Sequence, residues 1–163
     1  VGFNSRELYQ KRILNKNLNG KDFLMIGAMG HTAATAISLS CHYKGNVICL
    51  DGDGSFIMHL GSFSSLDRKN NQNFKYILVD NASHESVGGQ PIDLKNINIR
   101  SLALSLKFKK FFFTNKRKDL PIKFSSFIKS SGPSFFHIKI KSGTLKNLLR
   151  PKNLINIKNN FIR

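Results

Sequence analysis

Val47-Ile-Cys-Leu-Asp-Gly-Asp-Gly-Ser-Phe56 runs four apolar residues into an acidic, glycine-bearing turn and out into a second apolar segment. A short, continuous apolar run bounded by such a turn predicts a strand covered on both faces. Beyond the turn, Phe56, Ile57, Leu60, Phe63 and Leu66 recur at helical spacing, which predicts a helix over 56–68. Gly52 and Gly54 let the backbone turn tightly and approach a ligand with no Cβ in the way. The stretch therefore reads as strand, turn and helix, the repeating unit of an α/β fold.

The same alternation extends in both directions. Downstream, Tyr76–Val79 predicts another buried strand, ending at Asp80-Asn81. A polar, glycine-rich loop, Ala82–Pro91, leads to a helix over Ile97–Leu106 and a short strand over Lys110–Thr114. A helix over Pro121–Ser130 follows, stopped by Gly132-Pro133. In Ser134–Lys141, Phe136, Ile138 and Ile140 alternate with Lys139 and Lys141, which predicts a strand with one wetter face. Upstream, the Ala-rich stretch His31–Tyr43 predicts a helix packed closely on a sheet, and Asp22–Ile26, stopped by Gly27, a buried strand. The expected fold is α/β: an open, doubly wound, mostly parallel sheet with helices on both faces. Its unit is residues 21–142, between a leading helix or linker arm (1–20) and an irregular arm (143–163).

Composition narrows the class. With 26 Lys and Arg against 9 Asp and Glu the net charge is +17, which raises the question of nucleic acid. The positive charge is spread from Arg6 to Arg163 with no block beyond Lys116-Arg117-Lys118, so non-specific polyanion affinity is expected and specific nucleic-acid binding is not. Asp51, Asp53, Asp67, Asp80, Glu85 and Asp93 gather in one segment, as carboxylates with a task would. Cys41 and Cys49 sit in apolar segments and read as small core residues of a reducing compartment. No signal-peptide pattern and no span-length apolar run is visible, so the expected location is the cytoplasm, away from membranes.

In sheets of this kind ligands bind at the carboxyl ends of the strands. Three strand ends are informative: Gly27-Ala28-Met29-Gly30, Asp51-Gly52-Asp53-Gly54-Ser55 and Asp80-Asn81-Ala82-Ser83. The amides of Gly54 and Ser55 can donate to a diphosphate. Asp53 and Asn81 offer the hard oxygens that Mg²⁺ takes alongside phosphate oxygens and water.

Gly52-Asp53-Gly54-Ser55, followed by a helix and a strand ending at Asn81, resembles the cofactor motif of the thiamine-diphosphate-dependent 2-oxoacid decarboxylases. The resemblance implies thiamine diphosphate and Mg²⁺ as cofactors, with Asp53, Asn81 and Ser83 as metal ligands; the usual Asn-Asn pair is Asp80-Asn81 here. Gly27-Ala28-Met29-Gly30-His31 resembles the loop that grips the aminopyrimidine ring, which implies a Gly27 carbonyl accepting from the ring amine and Met29 wedged between the two rings. Asn81-Ala-Ser-His-Glu-Ser-Val-Gly-Gly-Gln-Pro91 resembles the phosphonopyruvate decarboxylase branch, as do Asn4–Leu8 and Lys141–Pro151 at the ends. The implied reaction converts 3-phosphonopyruvate to phosphonoacetaldehyde and CO₂, a step of phosphonate biosynthesis. The family's other half carries the glutamate that activates the pyrimidine ring, and no part of this chain corresponds to it. A pyrimidine-binding partner half and an oligomeric assembly are therefore implied.

His84 and Glu85 are the candidates for a substrate or proton-transfer role, against the alternative of a solvated loop pair. His31 is a helix-capping or phosphate-contacting candidate; His42, His59 and His137 read as packing or structural residues. Phe111–Phe113 reads as a core strand, since no basic groove pattern surrounds it as a stacking platform would require. Two other functions stay open: a β-type subunit of a sulfopyruvate decarboxylase, and a basic, catalytically silent binding or scaffold protein that keeps the fold.

Overall fold

The computed structural model describes residues 1–15 and 21–162. Four strands form one all-parallel sheet in the order β1-β2-β4-β3: β1 (Val47–Gly52), β2 (Phe74–Asp80), β3 (Lys110–Thr114) and β4 (Ser134–Lys139). Because β3 lies outside β4, the chain crosses outward after β2 and returns through a helix. The helices are α1 (Gly2–Leu14), α2 (Thr32–His42), α3 (Asp53–Met58), α4 (Ile99–Ser105), α5 (Leu120–Lys129) and α6 (Leu154–Ile162).

Alternation along β2 divides its side chains between two cores. Phe74, Tyr76 and Leu78 join the larger cluster with Ile37 of α2, Phe56 of α3, Ala103 of α4, Phe108 and Phe135. Ile77 meets Phe127 of α5 and Phe136 on the opposite face. Helices thus cover both faces, as the continuous apolar strands require, and the doubly wound α/β reading holds. The larger core is an aromatic mesh: Tyr76 lies 5.0 Å from Phe63 and 5.1 Å from Phe135, ring centre to ring centre.

Helix boundaries follow local chemistry. The Asn98 side chain accepts from Ser101 N at 3.0 Å, so α4 starts after Asn98 rather than at Ile97. Pro121 sits in the first turn of α5, where its missing N–H costs nothing.

Five expectations are corrected. Asp22–Ile26 takes no place in the sheet; Phe23 instead packs on Phe161 of α6, with ring centroids 5.3 Å apart. A five-residue apolar run does not by itself choose between a strand neighbour and a helix neighbour. The helix over 56–68 is broken at His59 and continues as a 3₁₀ turn, Leu60–Ser65. There Ser65 Oγ donates to the Ser62 carbonyl at 2.8 Å, the competition for backbone groups that serines bring. In β4, Phe135, Phe136 and His137 are all buried, because Phe135 packs into the larger core on one face and Phe136 into the core against α5 on the other, so the strand has no wet face before Lys139. The carboxyl-terminal arm is not wholly irregular: Asn153 caps its last segment by accepting from Asn156 N at 3.0 Å, and α6 follows. Cys49 is buried as expected, but Cys41 is exposed at the end of α2. Residues 16–20 of the expected leading helix or linker arm lie outside the described residues. Among the described residues no helix is long and apolar enough to cross a membrane.

Candidate functional site

The β1–β2 register pairs Asp51 with Leu78 and Gly52 with Val79, so the Gly52–Ser55 turn and the Asp80–Ser83 loop leave the sheet side by side. Asp53, the first residue of α3, is 3% exposed. Its carboxylate accepts from Gly54 N at 2.8 Å, Ala82 N at 2.7 Å and Asn81 N at 3.2 Å, which binds one turn to the other. Burial pushes the Asp53 carboxyl above the ordinary value, the neighbouring Asp80 adds to this, and the three amides only partly offset it. Among the described residues no cationic side chain pairs with Asp53; Asp80, by contrast, is paired with His137 at 2.8 Å. A buried carboxylate with no cationic partner is costly even when amides hydrogen-bond it, and it is the arrangement a bound cation relieves.

The neighbouring donors fit a hard divalent ion. Asn81 Oδ1 accepts from Ser83 N at 3.1 Å, while its Nδ2 donates to Glu85 Oε2 at 2.8 Å. With one buried carboxylate, one amide oxygen and backbone carbonyls, the site has no cluster of three or more acidic, His or Cys groups among the described residues. Mg²⁺ does not need one, because phosphate oxygens and water complete its octahedron.

Glycine has a steric purpose at Gly54. A Cβ there would lie 2.3 Å from the His84 ring, so His84 sits directly on the turn. On the far side, Gly30 N donates to Ser55 Oγ at 2.9 Å and Gly30 has a φ of +87°, so the Gly27–His31 loop is tied to the same turn.

Met29, Gly52, Asp53, Gly54, Ser55, Asn81, Ser83, His84 and Glu85 line one cleft. Gly27, Ala28, Gly30 and His31 belong to the adjoining loop without lining that cleft. His31 precedes α2 without a capping side-chain bond; its Nδ1 lies 3.3 Å from the Met29 carbonyl, and its ring stands edge-on to His59 at 4.3 Å. His137 is buried, as a structural residue should be, and His42 is exposed.

Sequence reasoning missed part of the wall. Asn4 and Glu7 of α1 line the cleft, as do Gly143 and Thr144 of the carboxyl-terminal arm. The two arms meet each other: Thr144 Oγ1 donates to Glu7 Oε1 at 3.2 Å, and Leu149 N to Gln10 Oε1 at 3.1 Å. Pairings between residues more than 130 positions apart leave no trace in local periodicity. Asp51, buried beneath the turn, accepts from the Tyr76 hydroxyl at 3.0 Å.

Residues 6–138 match the family model described as thiamine pyrophosphate enzyme, C-terminal TPP binding domain. The chain belongs to this family. It is 31% identical over 154 residues to the phosphonopyruvate decarboxylase of Streptomyces viridochromogenes, which covers 93% of this chain and 37% of that protein. It is 34% identical over 104 residues to the sulfopyruvate decarboxylase subunit beta of Methanocaldococcus jannaschii, covering 63% of this chain and 53% of that one. The subunit beta of Methanothermobacter thermautotrophicus is 29% identical over 143 residues, with 88% and 72% covered. This chain thus spans little more than a third of its Streptomyces relative. A solved structure described as a candidate thiamin diphosphate-dependent enzyme from Mycobacterium smegmatis superimposes with a TM-score of 0.60 at 15% identity over 72% of this chain and 23% of that one, a likeness of fold.

Proposed function

We propose that this chain supplies the diphosphate- and metal-binding part of a thiamine-diphosphate- and Mg²⁺-dependent decarboxylase of 3-phosphonopyruvate, releasing CO₂ and phosphonoacetaldehyde. The observation that carries the reading is Asp53: a buried carboxylate with no cationic partner among the described residues, hydrogen-bonded across to the Asn81 loop. Asp53, Asn81 and an oxygen of Ser83 would hold the metal, and the backbone of Gly52–Ser55 the diphosphate. Gly27 and Met29 would orient the pyrimidine end. Bound there, thiamine diphosphate supplies the ring that accepts the electrons left by the departing carboxylate. This chain's own share is to bind, orient and exclude water. His84, against Gly54 in the cleft, is the side chain we assign to moving a proton near the substrate.

The phosphonopyruvate reading rests on the 93% coverage of this chain by the Streptomyces relative and on the Asn81–Pro91 loop. The second reading, a sulfopyruvate decarboxylase beta subunit, is favoured by the higher identity over the shorter 104-residue match. Under either, the pyrimidine-binding half comes from another polypeptide segment or subunit, within a larger assembly.

Mixing this chain with the pyrimidine-binding half of a phosphonopyruvate decarboxylase should restore CO₂ release from phosphonopyruvate, with sulfopyruvate and pyruvate much poorer substrates. In the same assembly Asp53→Ala should abolish Mg²⁺-dependent cofactor binding in calorimetric titration. Unchanged cofactor affinity in that variant would remove the metal assignment, and a preference for sulfopyruvate would select the second reading.

A further inference from the structure

The geometry points to Glu85 as a positioning residue that couples the carboxyl-terminal arm to the metal site, holding Asn81 in its ligating orientation through one carboxylate oxygen and the arm through the other. The inference rests on the proposed role of Asn81 as a metal ligand.

Glu85 Oε2 accepts from Asn81 Nδ2 at 2.8 Å, and Glu85 Oε1 accepts from the backbone N–H of Gly143. An ionised carboxylate only accepts, so it can face only the NH₂ end of the Asn81 amide. That choice leaves Asn81 Oδ1 turned away from Glu85, where it accepts from Ser83 N and keeps a second lone pair for a cation. Without the carboxylate, only the bond from Ser83 N at 3.1 Å would hold the amide against the flip that aims an NH₂ group at the metal.

The residues that lead into the arm hold the same loop twice more. Ser142 Oγ donates to the Asn81 carbonyl at 2.8 Å, and Ile140 N donates to the Asp80 carbonyl at 2.9 Å. The segment after β4 is therefore laced to the Asp80-Asn81 strand end, with Glu85 as its side-chain buckle. Each oxygen of Glu85 already accepts one bond, which suits a holding role better than proton transfer.

The coupling must run both ways. If the arm stabilises the metal-competent Asn81, a metal on Asn81 stabilises the arm by the same factor. Groups that orient a ligand from behind typically change metal affinity tenfold to a hundredfold when removed. Glu85→Gln is nearly isosteric, yet it cannot accept from both donors, because its own NH₂ must face Asn81 Nδ2 or Gly143 N.

The test uses the assembled enzyme, with Mg²⁺ titrated calorimetrically in the presence of thiamine diphosphate. Amide exchange over residues 141–149 is followed by mass spectrometry with and without Mg²⁺. Glu85→Gln should weaken Mg²⁺ roughly tenfold or more, and Mg²⁺ should slow arm exchange in the unaltered protein but not in the variant. Ser142→Ala should weaken Mg²⁺ in the same direction and, combined with Glu85→Gln, by less than the sum of the two effects. Unchanged Mg²⁺ affinity in Glu85→Gln, while Asp53→Ala loses it, would overturn the coupling and leave the metal site standing. Retention of Mg²⁺ affinity by Asp53→Ala would overturn both. Should Glu85→Gln fail to fold, arm exchange in the unaltered protein that is indifferent to Mg²⁺ would equally overturn the coupling.

Discussion

At the scale of single residues, the site depends on contacts that tolerate no extra atom. The His84 ring occupies the space above Gly54, and a Cβ placed there would stand 2.3 Å from both ring atoms nearest it. Gly54→Ala must therefore push His84, and with it the Ala82–Pro91 loop, out of position. Overpacking of this kind typically costs 1–3 kcal/mol, so thermal denaturation should show a lowered midpoint and calorimetry a weaker cofactor complex. An alanine variant with unchanged stability and cofactor affinity would contradict the packing described. The aspartate one residue earlier was legible as a candidate ligand only from the Gly52–Ser55 turn taken together with Asn81 and the Gly27–Gly30 loop. That it has no cationic partner among the described residues, and that Glu85 also holds Gly143, was not, because both facts depend on what separate segments bring to one point.

Among the elements, β2 carries the most unusual side chain. Lys75 is buried at the end of the strand remote from the cleft, its Nζ donating to the Gly132 carbonyl at 3.1 Å and Ser134 Oγ at 3.4 Å. Burial holds its ammonium below the ordinary 10.5. The folded state therefore gives up this proton at lower pH than the unfolded chain does. Between the lowered value and 10.5 the unfolded state binds more protons, so stability should rise with pH across that window and level off above it. Urea unfolding at a series of alkaline pH values should show this rise in the unaltered protein and not in Lys75→Met; parallel curves for the two would refute it. Elements were read with uneven success for physical reasons. The continuous apolar run Tyr76–Val79 was too short for a helix and forms a buried strand, although Asp22–Ile26, read by the same rule, does not. Phe56–Arg68 had the right period for one helix, yet its serines and Gly61 favoured a 3₁₀ turn.

For the whole molecule the question is what a charge of +17 does. Exposed Lys and Arg spread over the surface attract phosphate backbones without regard to sequence, and counterion release makes such binding fall steeply with salt. Retention on DNA or RNA should accordingly vanish near physiological ionic strength, as a salt series on an immobilised oligonucleotide would measure. Salt-resistant, sequence-selective binding would instead favour the scaffold or binding-protein reading. The cleft itself is not basic: Asp53, Glu7 and Glu85 line it, with no Lys or Arg among the described residues that do so. The surplus charge is thus carried away from the site.

Local sequence was sufficient wherever a feature depends on neighbours along the chain. The strand of Val47–Leu50, the turn glycines, Asp53 between them and the alternation that makes a parallel sheet all follow from residues within one element of each other. The tertiary structure alone decided which strands lie side by side, that Asp22–Ile26 stays out of the sheet, and that both arms wall the cleft. Those outcomes depend on contacts such as Glu7 with Thr144 and Glu85 with Gly143. Their cost and gain are settled only when distant segments meet, and no periodicity records that meeting.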